Sequence, residues 1–573
     1  MFNYFAGECI YACHNRPVTT FLEYPVRDEL TEIDNKTSEE NQMPSTDRAP
    51  RGKYYITTAI DYVNASPHIG HAYEKIAADV LARYHRMQGE DVFFLTGVDE
   101  HGSKVEKSAQ QAGRTPKDFC DEMSSKFVTA WKNLDISYDS FIRTTEERHA
   151  VVVQEVFRRL RDKGDIYKSS YSGLYCDGCE DFVRERDLIE GACQFHKVPP
   201  KTVQEENYFF KLTKYKPLIK DWIESNPEAV QPEGRRKEVL NQLDDPELGD
   251  FSVSRSRSSL SWGIPVPDDD DQVIYVWIDA LSNYITGVGF HADETQFARY
   301  WPANLHLIGK DITKFHAVYW PAMLMGAGVP VPKQIYAHGF ITVEGQKLSK
   351  STGNVIDPNA LVEQFGDYGS DALRFYLLAA TPFDQDGDYS RERLINTVNA
   401  ALANNLGNLL NRTLNLVDKY CDGRVPISDP EHTLREQSNT IHVTVAEHMG
   451  RLEFAKTIDA ILALADQANK YLADEKPWTL FKEGKDLYGR DILYTALEVI
   501  RRVAMEIYPF TPKLAQAIWH QLGYDDHIGT IGDSKKQDGF FDTIEPGQIV
   551  RNEGPIFKRI GDEIDGDKPT KKK

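Results

Sequence analysis

Two short motifs, almost three hundred residues apart, constrain this chain more than any other feature: Pro67-His68-Ile69-Gly70-His71 and Lys347-Leu348-Ser349-Lys350-Ser351. Each stands between a strand-like run and a helix-like run, and units of that kind build open parallel sheets covered by helices. Before the first motif, Tyr54 to Ile60 is rich in β-branched and aromatic residues and reads as a strand. After it, Ala72, Ile76, Val80, Tyr84 and Met87 recur at helical spacing, and Gly89 is a stop signal. Ser66 is the expected N-cap and Pro67 the expected first helical residue, where a missing N–H costs nothing. His68 and His71 then share one face of the first turn. A helix N-terminus attracts phosphate through its free N–H groups and partial positive charge, and two imidazoles there add donors. Taken alone, the segment is explained as well by capping or surface histidines, or by a metal pair.

The second motif changes that balance. Lys347 and Lys350 lie within Glu344 to Gly353, a polar, glycine-punctuated stretch expected to form a loop after the apolar run Ile335 to Val343. Asp357-Pro358 is the expected N-cap and first position of the next helix. Two ammonium groups on a mobile loop can close over a triphosphate and neutralise charge as pyrophosphate leaves. In isolation, a solvated lysine loop is the commoner fate of such a stretch. Together the motifs describe a site that grips ATP from two sides, and the chemistry that fits is transfer of AMP to a carboxylate.

With these residues in place the chain resembles the class I aminoacyl-tRNA synthetases, and within them the methionyl-tRNA synthetases. Leu95 to Gly102, Tyr275 to Ala280, His306 to Ile312 and Phe315 to Leu324 extend the likeness, which covers roughly residues 51 to 540. The family signature has methionine where Leu348 stands, a volume-conserving swap that leaves the lysines untouched. The resemblance implies that His68, His71, Lys347 and Lys350 are catalytic, and that Gly70, Gly309, Asp311, Ser349 and Ser351 bind ATP. It implies that Asp99 takes the methionine ammonium. Ile60, Tyr62, Trp277, Ala280, Leu281, Tyr284, Ile312 and His316 would line the side-chain pocket, with Leu281 standing where relatives have proline. A thioether needs such an apolar, aromatic-lined cavity, although each aromatic judged singly reads equally as core.

Composition fits a soluble enzyme. A chain of 573 residues, 41% hydrophobic, can bury several cores, and no run approaches a membrane span. The net charge of −21 argues against a nucleic-acid partner taken as a whole, but phosphate contacts need only a local basic face. Seven cysteines without a secretory signal point to a reducing compartment. Four ligand-type residues cluster as Cys176-x2-Cys179-x13-Cys193-x2-His196, two tight knuckles that together make a closed tetrahedral site for one structural Zn2+. The cluster resembles the single-zinc knuckle of some methionyl-tRNA synthetases. Cys9, Cys13 and His14 lack a fourth ligand and are set aside.

The predicted architecture is α/β, a doubly wound Rossmann-type parallel sheet with a small zinc-knuckle insertion and a C-terminal helical bundle. Residues 1–50 read as a disordered extension, 51–162 as the first half of the catalytic domain and 163–258 as the connective insertion. Residues 259–357 form the second half, beginning with a strand at Val273 to Trp277, followed by a stem-contact linker at 358–390. Helical patterns at Leu394 to Tyr420, His442 to Ala473 and Asp491 to Ile507 place a bundle at 391–545, before a tail at 546–573 that leaves no room for a further tRNA-binding barrel. The resemblance makes the bundle an anticodon-binding domain in which Asn408, Arg412, Pro477 and Trp478 recognise the anticodon. An indole can stack on an unpaired base while Asn and Arg read base edges; a capping aromatic after a proline is the plainer account of Trp478. The implied substrates are ATP with Mg2+, L-methionine and tRNA(Met), handled by a cytoplasmic monomer, with plastid or mitochondrion as the alternative location. Competing readings are a sister ligase for leucine, isoleucine, valine or cysteine, a small nucleotidyltransferase, and an inactive RNA-binding scaffold.

Overall fold

A parallel sheet positions everything that follows. In the computed structural model, which describes residues 52–176, 181–183, 185–194, 197–347, 355–428, 432–530 and 543–561, its strands are β1 (Lys53–Thr58), β2 (Asp61–Tyr62), β3 (Asp91–Asp99), β4 (Ser140–Arg143), β5 (Val230–Gln231), β6 (Leu305–Gly309) and β7 (Ile335–His338). The order is β5-β7-β6-β1-β3-β2, with β4 also paired to β3, and every pairing is parallel. Residues 50–573 form one compact unit.

Alternate residues of each strand feed two different cores. Ile56, Phe94, Leu307 and Tyr336 enter one, while their neighbours Tyr55, Leu95, Ile308 and Ala337 enter the other. That is the pattern of a sheet buried on both faces, and it explains why these strands are apolar throughout instead of alternating with polar residues. Gly97 of β3 is required by its partner: a Cβ there would stand 2.1 Å from the Ile142 carbonyl oxygen of β4.

Helices α1 (Ile69–Met87) and α2 (Pro116–Asn133) cover the first face; α3 (Glu147–Asp162) and α4 (Val276–Thr286) cover the second. The strand predicted at Val273 to Trp277 is not part of this sheet. Asp269–Ile274 pairs instead in a small antiparallel sheet, and Trp277 lies on α4. Nearly all of α4 is buried, so its apolar run has no polar face to betray helical period, and β-branched composition misleads.

The core of the first face continues without a break into the C-terminal helices α5 (Gly369–Ala379), α6 (Asn408–Cys421), α7 (Thr433–Gly450), α8 (Phe454–Glu475), α9 (Pro477–Lys482), α10 (Asp486–Ile507) and α11 (Pro512–Gln521). The single helical run predicted from His442 to Ala473 is two helices, parted where Leu452 adopts a φ of 56°. Ahead of α6 the chain is π-helical over Asn399–Gly407. One buried guanidinium joins sheet and bundle: Arg374 of α5 pairs with Asp79 of α1 at 2.7 Å and donates to the Pro509, Phe510 and Leu134 carbonyls at 2.7, 3.1 and 3.3 Å.

Candidate active site

Several of the predicted site residues lie where β1, β3 and β6 end, and the lysine arm leaves after β7. Ile60 and Tyr62 follow β1, Asp99 closes β3, and Gly309 closes β6 with Asp311 and Ile312 just after it; His338, not among the predicted residues, closes β7. This carboxyl edge, with β1 between strands reached in opposite directions along the chain, is where open parallel sheets bind their ligands.

His68, not Ser66, caps α1, and the helix begins at Ile69 rather than Pro67. The reason lies in the two imidazoles. His68 Nδ1 accepts from the Gly70 amide at 3.1 Å, and His71 Nδ1 accepts from the His68 amide at 3.2 Å, a reciprocal capping box built from histidines. The rings stack with centroids 3.8 Å apart. Because both Nδ1 atoms accept, both rings are neutral and carry their proton on Nε2, the atom free to donate to an anion. Burial pushes His68 down to about 4. Burial, then the neighbouring His68 and Lys75, hold His71 well below the usual imidazole range. A neutral donor pair at a helix N-terminus suits a polyphosphate, which needs hydrogen bonds without a full countercharge at that point.

The described start of the lysine arm, Glu344 to Lys347, is a hairpin where a loop was predicted. Glu344 and Gly345 make a two-residue hairpin turn, both with positive φ (52° and 71°), as a type I′ turn requires. Lys347 therefore stands on a short strand, its backbone paired with Thr342. Lys350, Ser349 and Ser351 lie outside the described residues. Both roots of the arm attach to α1: His338 Nε2 meets Glu74 at 3.0 Å, and the Ile69 amide donates to the Ile356 carbonyl at 3.1 Å. Asp357 caps the following helix as expected, accepting from the Asn359 amide at 2.9 Å.

The proposed methionine side is assembled from α4 and the segment after β6. Trp277 stacks on Phe315, with centroids 3.7 Å apart and planes 7° from parallel. Tyr284 donates its hydroxyl to His316 Nε2 at 2.7 Å, since His316 Nδ1 is occupied by the Ile312 carbonyl at 3.0 Å. Behind them His306 stacks on Tyr284 at 4.2 Å, bonds Thr57 Oγ1 at 2.7 Å and accepts from the Trp320 indole at 3.3 Å. Burial pushes His316 down to about 4 and His306 well below its usual range, so this wall is uncharged. Ala280 and Leu281 are buried beside it; Ile60, Tyr62 and Ile312 are partly exposed. Tyr62 is the strand partner of Asp99, whose carboxylate accepts from the His101 amide at 3.3 Å.

Several groups escaped sequence reasoning. Phe315 is one. Asp279 is another: its carboxylate is held by His101 at 2.7 Å and by His149 at 2.8 Å, tying the start of α4 to the end of β3 and to α3. Burial alone would raise Asp279, but the two histidines outweigh it and hold the group below the ordinary carboxylate range. Glu74 and Lys75 form a third set. Adjacent opposite charges amid an apolar helix were the available signal for them. Lys310, within the third resembling segment, is taken by Asp386 at 2.7 Å. Asp311 is exposed, and a Cβ on Gly309 would crowd its carboxylate at 2.9 Å.

Away from the sheet, Asn408 is exposed and Arg412 partly so, four apart on α6; Pro477 is buried at the start of α9 with Trp478 partly exposed beside it. Of the four predicted zinc ligands, Cys176 and Cys193 are buried at strand ends, and Cys179 and His196 lie outside the described residues. Around Cys193 the chain turns tightly: its carbonyl accepts from the Lys197 amide at 2.8 Å and its amide donates to Val198 at 2.9 Å. Such a turn suits a metal knuckle. Among the described residues no group of three or more His, Cys, Asp or Glu side chains converges as a metal set, and no helix is long and apolar enough to cross a membrane.

A doubly wound sheet with a histidine-capped helix N-terminus and an uncharged aromatic cluster at its carboxyl edge, continued by a helical bundle, has the architecture of a class I aminoacyl-tRNA synthetase. The profile described as "tRNA synthetases class I (M)" matches residues 54–198 and 183–414, and that of the "Anticodon binding domain of methionyl tRNA ligase" matches residues 424–570. The chain belongs to the methionyl-tRNA synthetase family. It is 45% identical to the methionine–tRNA ligase of Thermosynechococcus vestitus, over 88% of this chain and 97% of the relative. It is 43% identical to the chloroplastic/mitochondrial methionine–tRNA ligase of Arabidopsis thaliana, over 88% and 83%. The solved structure of Mycobacterium tuberculosis methionyl-tRNA synthetase in complex with methionyl-adenylate shares 40% identity at a TM-score of 0.84, covering 89% of this chain and all of that one.

Proposed function

We propose that this protein is a methionine–tRNA ligase that activates L-methionine with ATP and transfers it to the 3′ end of tRNA(Met). A methionine carboxylate oxygen attacks the α-phosphorus, the bond to pyrophosphate breaks, and methionyl-adenylate remains. The terminal adenosine hydroxyl of the tRNA then attacks the carbonyl carbon and AMP departs. The observation that carries this reading is the meeting, at one sheet edge, of the neutral His68–His71 donor pair and the uncharged Trp277–Tyr284–His316 wall. In it the Nε2–H groups of His68 and His71 stabilise phosphate charge, with Lys347 and Lys350 on the opposite side, and Gly70 allows close approach of the nucleotide. Gly309, Asp311, Ser349 and Ser351 complete the ATP contacts. Asp99 takes the ammonium, and Ile60, Tyr62, Trp277, Ala280, Leu281, Tyr284, Ile312 and His316 enclose the side chain. Mg2+, when bound with ATP, would supply further charge neutralisation on the phosphates. No general base stands out in the sequence; positioning supplies the rate, and the hydroxyl proton leaves with the departing AMP phosphate.

Asn408, Arg412, Pro477 and Trp478 are assigned to the anticodon. Cys176, Cys179, Cys193 and His196 are assigned to one structural Zn2+, which metal analysis of the purified protein tests at one equivalent. We place the enzyme in the cytoplasm as a monomer; a fluorescent fusion found in plastids or mitochondria overturns the location. Pyrophosphate exchange into ATP with each of the twenty amino acids is the deciding assay. Exchange driven by methionine alone, and lost in Lys347→Ala, is the expected result. Exchange with another amino acid keeps the class and changes the substrate, and none at all favours an inactive tRNA-binding protein.

A further inference from the structure

Beneath the histidine motif lies a buried cation that the activation chemistry does not itself use. Lys75 Nζ stands 2.6 Å from Asp61 Oδ1, 2.9 Å from the Ala59 carbonyl and 3.1 Å from Glu74 Oε1, and its side chain is 1% exposed. The other oxygen of Glu74 meets His338 Nε2 at 3.0 Å, and His338 Nδ1 meets the Gly339 carbonyl at 2.7 Å. The contacts run unbroken from the loop after β1, which carries Ile60 and Tyr62, through α1, which carries His68 and His71, to the end of β7, where the lysine arm departs. Both nitrogens of His338 thus stand against oxygen atoms. The Lys75 ammonium is thus enclosed by two carboxyl groups and a carbonyl, the kind of surroundings in which a buried charge is tolerated.

Asp61 depends on Lys75 in particular. Its second oxygen has no hydrogen-bond partner among the described residues, and burial lifts the group to about 7 even with the ammonium beside it. Remove the ammonium, and a neutral or poorly solvated Asp61 no longer holds its strand to α1.

We propose that Lys75 is a positioning residue for adenylate formation: the Asp61–Lys75–Glu74–His338 chain sets the pocket loop, the histidine helix and the root of the lysine arm in register, so that the methionine carboxylate meets the α-phosphate in line. This rests on the site being the one that activates methionine. Lys75 touches neither substrate; it acts through the segments it ties together. Misalignment of reactants that still bind shows in kcat more than in KM.

The test is methionine-dependent pyrophosphate exchange at pH 8 for wild type, Lys75→Met, Lys75→Arg, Asp61→Asn and the Asp61→Asn/Lys75→Met pair, with thermal unfolding of each. Lys75→Met is expected to lose at least about tenfold in kcat while KM for methionine and for ATP stays within about threefold. Lys75→Arg recovers most of that loss, and Asp61→Asn, which keeps an oxygen for the ammonium, loses about threefold. Adding Asp61→Asn to Lys75→Met costs less than about twofold more, because the two act as one unit. A folded Lys75→Met enzyme with wild-type kcat, or one whose ATP KM alone rises, overturns the proposal. If Lys75→Met does not fold, Asp61→Asn decides: an unchanged kcat overturns it. Absence of exchange in the wild type overturns the activation reading, and this one with it, whereas loss confined to the variants separates the two.

Discussion

The two sides of this site are built on opposite electrostatic plans. On the proposed phosphate side, a capped helix N-terminus is backed by the buried chain of Asp61, Lys75, Glu74 and His338. On the methionine side, Tyr284, His316, His306, Thr57 and Trp320 use up one another's polar atoms and leave an uncharged aromatic wall. The difference teaches how one cleft separates chemistry from recognition. Fixed dipoles and charges act where charge builds as pyrophosphate leaves, whereas a thioether offers almost nothing to hydrogen-bond, so its pocket can discriminate only by shape.

The sharpest way to break that contrast is His71→Ala. It removes a proposed phosphate donor and half of the histidine capping box, and pyrophosphate exchange is expected to fall by about 10²–10³ in kcat with methionine KM within about threefold. A kcat near wild type would place the chemistry elsewhere. Next comes the uncharged state of the wall. The folded pKa of His316, about 4, lies below its unfolded value near 6.5, so the unfolded chain takes up the proton first as pH falls. The stability from burying the neutral ring is thus complete above about pH 6.5 and lost towards pH 4. The gap in unfolding free energy between wild type and His316→Gln should narrow by up to roughly 3 kcal/mol over that window; denaturant titrations at pH 7 and pH 4.5 would show it, and a constant gap would mean that the ring titrates alike in the folded and unfolded chain.

Smaller effects sharpen the comparison. Tyr284→Phe leaves the buried His316 Nε2 without its donor, and a loss of about 1–3 kcal/mol in stability is expected, with ATP KM unchanged. Calorimetry showing no loss would mean that the hydroxyl and imidazole are not partners. Last, norleucine and homocysteine, near-isosteric with methionine, should be activated with kcat/KM within about 10–200-fold of it, since shape is worth about 1–3 kcal/mol per methylene. Rejection by a far larger factor would require a polar reader of sulfur that the wall does not contain.

Much of this was legible in the chain before any coordinates. The strand–turn–helix around His68 and His71, the Asp357 cap and the helix over Asp491 to Ile507 appear close to where pattern places them. What pattern mistook was local competition. His68 rather than Ser66 won the cap because its ring could reach Gly70 while His71 reached back. Trp277 went to a helix because α4 is buried nearly all round and shows no polar stripe. Glu344-Gly345 closed a hairpin where only a polar loop was expected, although a glycine preceded by a residue able to take positive φ is a turn signal.

By itself, the sequence determined what is set within a few residues: where most strands and helices run, and which residues cap some of them. Only the tertiary structure decided which charges are buried together. Glu74 finds His338 across 264 positions and Asp279 finds His149 across 130. Periodicity cannot foresee such meetings, because a side chain's partner across a fold is chosen by the packing of whole elements, and a buried charge is tolerated only where that packing brings its counterpart within hydrogen-bond reach.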